Sequence, residues 1–167
     1  MNVSFSTRGW QQIPWEQQVQ MAETMRFGGV ELYNVHKTPE LTGRGGPLHR
    51  YTAAATAREL WQKGLCIPCF DTDCDIAGED CTETVTALMQ LAHDVQCPYV
   101  SVTAQRDDDA RISAALEALL PAAEAQGITI LLKTSGVFSD TARLRTLLDA
   151  FACDQLGALW DMHHPYR

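Results

Sequence analysis

Asp161, His163 and His164 follow directly on the apolar run Leu156-Gly157-Ala158-Leu159-Trp160, so one carboxylate and two imidazoles leave the end of what reads as a strand. A carboxylate at such a point can ligate a divalent cation, and the imidazole of Asp-x-x-His, three residues on, can contact a ligand oxygen. A two-residue pattern of this kind recurs by chance, so its weight depends on what carries it. Other groups able to do chemistry follow other short apolar runs: Asn34 and His36; Asp71, Asp73 and Asp75; Gln105 and Arg106; Lys133, Thr134 and Ser135. Loops are polar because they face water, which is the simpler account of any one of these residues. Their recurrence after successive runs is what suggests a shared site.

Six runs read as strands, at residues 2–6, 29–33, 65–70, 99–103, 128–132 and 156–160, each short and introduced by Gly, Pro or a turn. Between them the spacing of apolar residues predicts helices over 14–25, 51–63, 82–95, 107–126 and 139–151. Val85, Leu88, Met89 and Ala92 form one buried stripe; Val19, Met21, Ala22 and Met25 form another; Ala54, Ala57, Leu60 and Trp61 form a third. Ser139 or Asp140 suits a helix N-cap, and Gly64 and Gly127 suit left-handed helix ends. Strands alternating with helices build a parallel sheet through right-handed crossovers, which gathers the loops after the strands at one end. The expectation is one α/β domain over residues 1–167, with about six parallel strands of an incomplete (β/α)8 TIM barrel. The glycine-rich stretch at 39–49 lies over that end as a flexible loop or a lid, and it matches no phosphate-binding motif.

With 167 residues, 46% hydrophobic and 20% charged, the chain has the composition of a globular domain. Its formal net charge of -8, with Arg8, Arg26, Arg44 and Arg50 scattered, disfavours nucleic acid as a partner. No window approaches the ~18 consecutive apolar residues of a membrane span, and the first residues lack a signal-peptide pattern, so a cytoplasmic protein is expected. Six cysteines include Cys66-x-x-Cys69. On a strand those two point to opposite faces and cannot share a zinc ion, so free thiols are expected.

The motifs Gly29-Val30-Glu31-Leu32-Tyr33, Ser139-Asp140-Thr141 and Trp160-Asp161-Met162-His163-His164-Pro165, in this element order, resemble the xylose isomerase-like TIM barrels. That superfamily includes sugar-phosphate isomerases and epimerases, inosose dehydratases and endonuclease IV. The resemblance implies a divalent metal (Mn, Mg, Co or Zn) held by acidic and histidine side chains at the ends of the later strands. The metal would polarise an oxygen of a small sugar or polyol while carboxylates move a proton on the neighbouring carbon. It casts Asp161 as a metal ligand and His164 as a substrate contact.

Two departures qualify it. Lys133 stands where the family's strand-five glutamate is expected, and an ammonium has no lone pair for a cation. The expectation is that Lys133 pairs with Asp161 and supplies positive charge in the metal's stead; a Schiff-base lysine is the weaker alternative. Second, strands seven and eight have no counterpart, whereas such barrels need about 200 residues or more. A truncated or impaired copy, or completion by a second chain or in a homo-oligomer, is therefore expected.

Glu31 is counted with Lys133 among the catalytic groups, with pairing to Arg8 as its alternative. His36, Asp71, His163, His164 and Trp10 are read as substrate contacts, although Trp10, like Trp15, Trp61 and Trp160, also suits packing. The leading functional reading is a metal-dependent sugar or sugar-phosphate isomerase or epimerase with part of its site. The alternative is a non-catalytic barrel module that assembles with another chain and binds a polyol, and endonuclease IV-like repair ranks last.

Overall fold

The computed structural model describes residues 2–162; His163 and His164 lie outside them. Six parallel strands run β1 Ser4–Ser6, β2 Gly29–Tyr33, β3 Cys69–Asp75, β4 Tyr99–Thr103, β5 Thr129–Lys133 and β6 Leu156–Leu159. They lie side by side in chain order. Six helices accompany them: α1 Trp15–Thr24, α2 Pro39–Thr42, α3 Ala53–Gln62, α4 Cys81–Asp94, α5 Asp109–Gln126 and α6 Thr141–Phe151. Single 3-10 turns stand at Val35–Lys37 and Gly136–Ser139. Because every crossover advances by one strand in the same direction, the connections wind as in a (β/α) barrel and not as in a doubly wound sheet.

The ladder register decides what each face of the sheet carries. Leu32, Phe70, Val100, Ile130 and Leu156 pair across five strands in one row. Phe70, Val100 and Ile130 are fully buried against the helices that pack on the sheet. One residue further along, Tyr33, Asp71, Ser101, Leu131 and Gly157 form the next row on the opposite face. The apolar core thus lies between sheet and helices, and the inner face is largely polar.

The third strand starts later than residues 65–70. Pro68 has no N–H to donate, so the chain makes only a single bridge at Gly29 and Cys66, and the ladder resumes at Cys69 and runs through Asp71, Asp73 and Asp75. These aspartates are strand residues, not loop residues. Cys66 is exposed and Cys69 buried, and the cysteines are free thiols, as expected.

The stripe expected on α4 is buried as read, whereas α1 buries Gln18, Val19 and Ala22 and leaves Met25 64% exposed beyond its end. On α3 the buried residues are Ala53, Thr56 and Leu60, and Trp61 is 78% exposed. Thr56 turns inward because its hydroxyl donates to the Pro47 carbonyl at 2.6 Å, a partner that apolar periodicity does not anticipate. The 39–49 stretch is anchored by α2 and by the buried Leu41 and Leu48, and it borders a separate cavity beside α1. That cavity is also lined by Thr7 and Tyr33, so the stretch lies beside the carboxyl ends of β1 and β2 as an anchored loop. Asp140 is the N-cap of α6, accepting from the amides of Ala142 at 3.0 Å and Arg143 at 3.2 Å. Gly64 and Gly127 have φ of +72° and +67°, as their positions required.

A Cβ on Gly29 would stand 2.5 Å from the Cys66 carbonyl oxygen. Gly29→Ala should therefore cost about 1–3 kcal/mol in urea unfolding as the bridge is forced apart. Asp140→Ala should cost about 1 kcal/mol through loss of the cap. An unchanged midpoint in either variant would contradict the packing described.

Candidate functional site at the carboxyl ends of the strands

Polar side chains of the inner face converge where the strands end. Lys133 closes β5 and is 7% exposed. Its Nζ makes an ion pair with Asp71 Oδ1 and lies 3.8 Å from Asp73 Oδ1, both on β3. The ammonium is thus held from β3 by two carboxylates to which the sequence reading gave no such role. The Ser101 hydroxyl on β4 donates to Asp71 Oδ1 at 2.9 Å. Two charges buried together lose much hydration, and only this close pairing with added hydrogen bonds offsets that loss.

Asp73 sits in an irregular stretch of β3, where the register with β4 shifts between Asp71 and Asp75. The shift re-aims a side chain, as bulges do beside functional sites. Its carboxylate receives the Tyr33 hydroxyl and, at 3.3 Å, Asn34 Nδ2, while its own amide donates to Asn34 Oδ1 at 3.1 Å. Asn34 occupies the left-handed region at φ 48°, a conformation asparagine tolerates better than most residues. Arg8 lies over the Tyr33 ring, 4.9 Å from its centroid. Beside β5, the Asp161 amide donates to Thr134 Oγ1 at 2.8 Å, which ties the segment after β6 to the end of β5.

These groups border a cleft of about 700 Å³ lined by Arg8, Glu31, Asp73, Lys133, Trp160 and Asp161, with Asp71 at its floor. Burial raises the Glu31 carboxyl above its ordinary value, with Asp71 adding to the rise and Ser6, Lys133 and Arg8 opposing it. Burial also opposes ionisation of Asp73, but the Tyr33 hydroxyl, Lys133, Arg8 and Asn34 outweigh it and hold that carboxyl below its ordinary value. The site therefore combines a carboxylate kept ionised, a carboxyl that holds its proton more readily, and a buried cation. Such a set can bind hydroxyls and exchange a proton with a ligand.

Of the residues read from the sequence, Glu31, Asp71, Lys133 and Asp161 come together here. Arg8 is the weakest of the influences on the Glu31 carboxyl, after burial, Ser6, Asp71 and Lys133. Trp10 does not line the cleft: it packs against Phe5 with ring centroids 6.0 Å apart. His36 lies outside the lining too, on the 3-10 turn after β2. Its Nδ1 is buried without a partner among the described residues, and burial with the adjacent Lys37 lowers its pKa despite Asp73. Tyr33, Asp73 and Trp160 were not assigned to the site. Asp73 stands in the polar group after the third run that the sequence pointed to, whereas nothing local singled out Tyr33; Trp160 borders the cleft and is 55% exposed.

A divalent cation does not suit the donor at the end of β5. The β5 position offers an ammonium already bound to two carboxylates, and no three His, Cys, Asp or Glu side chains among the described residues form a metal-ligating group.

No family model matches the chain, and no curated protein matches it in sequence. Solved structures do match in shape. The probable 3-DHS dehydratase AsbF of Bacillus anthracis, involved in petrobactin synthesis, superposes with a TM-score of 0.76 at 19% identity, over 98% of this chain and 64% of that one. The IOLI protein, solved with a zinc atom, gives 0.75 at 13% identity, over 98% and 64%. A D-tagatose 3-epimerase-like protein gives 0.70 at 14%, over 99% and 66%. A xylose isomerase domain protein from Planctomyces limnophilus gives 0.70 at 14%, over 96% and 62%. The fold shared with them is a (β/α) TIM barrel, of which six strands are seen among the described residues of this chain. The chain spans less than two thirds of the length of these barrels. In barrels of this kind the carboxyl ends of the strands carry the active site, and the cleft lies there.

Lys133→Met should destabilise the fold by about 3–5 kcal/mol, because Asp71 is left as an uncompensated buried charge, and adding Asp71→Asn should recover part of that loss. Additive losses in denaturant titrations would rule the pairing out. Glu31 has a folded pKa raised above its ordinary 4.5, so its stabilising effect is complete below that pH and is lost as pH rises through the folded value. Glu31→Gln should therefore be more stable than the parent at pH 7, with the gain disappearing at about pH 4. A gain that persists in acid would contradict this account.

Proposed function

We propose that the cleft binds a small sugar or polyol, in a site derived from a metal-dependent sugar or sugar-phosphate isomerase or epimerase. The observation that carries this reading is the ammonium of Lys133, buried between Asp71 and Asp73 and facing the cleft. It puts positive charge where the family resemblance leads one to expect a cation. Arg8 and Lys133 donate hydrogen bonds while Glu31, Asp73 and Asp161 accept them, which suits vicinal hydroxyls that do both. The half-exposed Trp160 ring offers a surface for the C–H face of a sugar.

In this reading Glu31 is the proton carrier, since its raised pKa brings it nearer to neutrality, and Lys133 stabilises negative charge developing on a ligand oxygen. The names of two structural neighbours, a probable dehydratase and an epimerase-like protein, are consistent with carbohydrate-type chemistry on this fold. The IOLI neighbour holds zinc, whereas the donor set at β5 disfavours a metal in this chain, so turnover by the chain as it stands is slow or absent.

A second reading, a non-catalytic module completed by another chain or by a second copy, draws support from the two edge strands. Among the described residues β1 and β6 each have one neighbour, and an unpaired parallel edge invites pairing.

Isothermal titration with unmodified pentoses, hexoses and their polyols should show binding at about 1 mM or tighter, abolished by Lys133→Met in protein shown by circular dichroism to be folded. Manganese or magnesium should neither raise the melting temperature nor produce aldose–ketose turnover. Metal-dependent turnover would overturn the metal-free reading, and light scattering that shows only a monomer would remove the second one.

A further inference from the structure

We propose that Cys74 and Cys81 are a reactive dithiol pair, which a peroxide oxidises to an intramolecular disulfide by way of Cys74. The chemistry of the pair is independent of what the cleft binds. Cys74 lies on β3 beside Asp73, half-buried and packed against the apolar core to which Cys81 belongs. Cys81 is the first residue of α4 and is 4% exposed. Its S–H donates to the Cys74 sulphur, so the two atoms that would bond are already in contact.

The turn between them keeps that contact in place. Only six residues, 75 to 80, join the two cysteines, and hydrogen bonds fold them back on β3. The Gly78 amide donates to the Asp75 carbonyl at 2.7 Å, and the Ala77 amide donates to Asp75 Oδ1 at 3.3 Å. The Ile76 amide donates to the Thr103 carbonyl of β4 at 2.8 Å, and the Ile76 and Ala77 side chains are buried. Arg106 holds Asp75 from outside at 3.4 Å. A disulfide forms without strain only where the chain already brings its sulphurs together, and this turn does so.

The two thiols also differ in the way that stepwise oxidation requires, since the thiolate is the form that attacks an oxidant. The hydrogen bond from Cys81 holds the Cys74 thiol below its ordinary value against the effect of burial; the Thr72 hydroxyl and Lys37 act in the same direction, and Asp73 opposes them. Donation to Cys74, and then burial, raise Cys81. Burial raises Cys66, Cys69 and Cys97 as well. Cys74 is thus reachable and the first of the two to ionise, with Cys81 behind it. The Cys74 thiolate attacks one peroxide oxygen and the O–O bond breaks, which oxidises the sulphur to a sulfenic acid and reduces the peroxide. The departing hydroxide takes up the proton that Cys74 had released. Cys81 then gives up its proton and its sulphur attacks that of Cys74, where the S–O bond breaks and a second water leaves. Two thiols and one peroxide give one disulfide and two waters.

The test is mass spectrometry of the reduced full chain after a small molar excess of hydrogen peroxide, at neutral pH with a chelator present. The product should have lost two hydrogens and should regain them with dithiothreitol. Cleavage after Glu79 separates Cys74 from Cys81, so their two peptides should stay joined only in the oxidised sample before reduction. Cys81→Ser should instead accumulate a sulfenic acid at Cys74 that dimedone traps, and Cys74→Ser should slow the first oxidation about tenfold, both in protein shown by circular dichroism to be folded. The peptide map of the unsubstituted chain decides the matter even if a variant does not fold. A first oxidation at Cys66 or Cys153, Cys74 carried on to a sulfinic acid with no link to Cys81, or a native chain that resists peroxide altogether would each overturn the proposal.

Discussion

The ion cluster of Lys133 with Asp71 and Asp73 is the constraint around which the carboxyl end of this sheet is organised. A charge that is 7% exposed is tolerated only where opposite charge and hydrogen bonds replace its water. That requirement draws in Ser101 to hold Asp71, and Tyr33 with Asn34 to hold Asp73. It links β2, β3, β4 and β5 through side chains at the end of the sheet where the backbone ladders finish. The irregular register of β3 and the left-handed Asn34 are local departures from ideal geometry, and both serve to place Asp73.

This polar arrangement is possible because the core lies elsewhere. The row from Leu32 to Leu156 packs the opposite face of the sheet against the helices, and that face carries the apolar burial. Strict alternation along parallel strands then leaves the inner row free to be small, polar or charged. The same alternation brings Glu31, Asp71 and Lys133 onto one surface although about a hundred residues separate the first from the last. At the end of β5 a lysine stands on the inner face, and the neighbouring carboxylates of Asp71 and Asp73 answer it. The result is a set of hydrogen-bonding groups arranged around a fixed internal cation.

Much of this was legible in the sequence. β2 and β4 fall at the residues read from it, and the barrel-like winding follows from the alternation of strands and helices. The stripe Val85, Leu88, Met89 and Ala92 and the end glycines Gly64 and Gly127 were equally plain, because each follows from a local period or a local backbone need. Where the reading slipped, a polar contact had replaced an apolar one. Thr56 is buried because the Pro47 carbonyl is there to receive it, and β3 is hidden in a run of aspartates because its inner face meets a lysine.

The sequence by itself determined the element order, the fold class, and that Lys133 and Asp161 stand at strand ends. Only the tertiary structure decided the partners: that Lys133 is held by Asp71 and Asp73, that Trp160 and not Trp10 borders the cleft, and that the glycine-rich 39–49 stretch is anchored beside the ends of β1 and β2. The physical reason is the range of the forces involved. Periodicity and turn chemistry act over a few residues and are written along the chain. An ion pair between strands is set by register, which is a property of the assembled sheet.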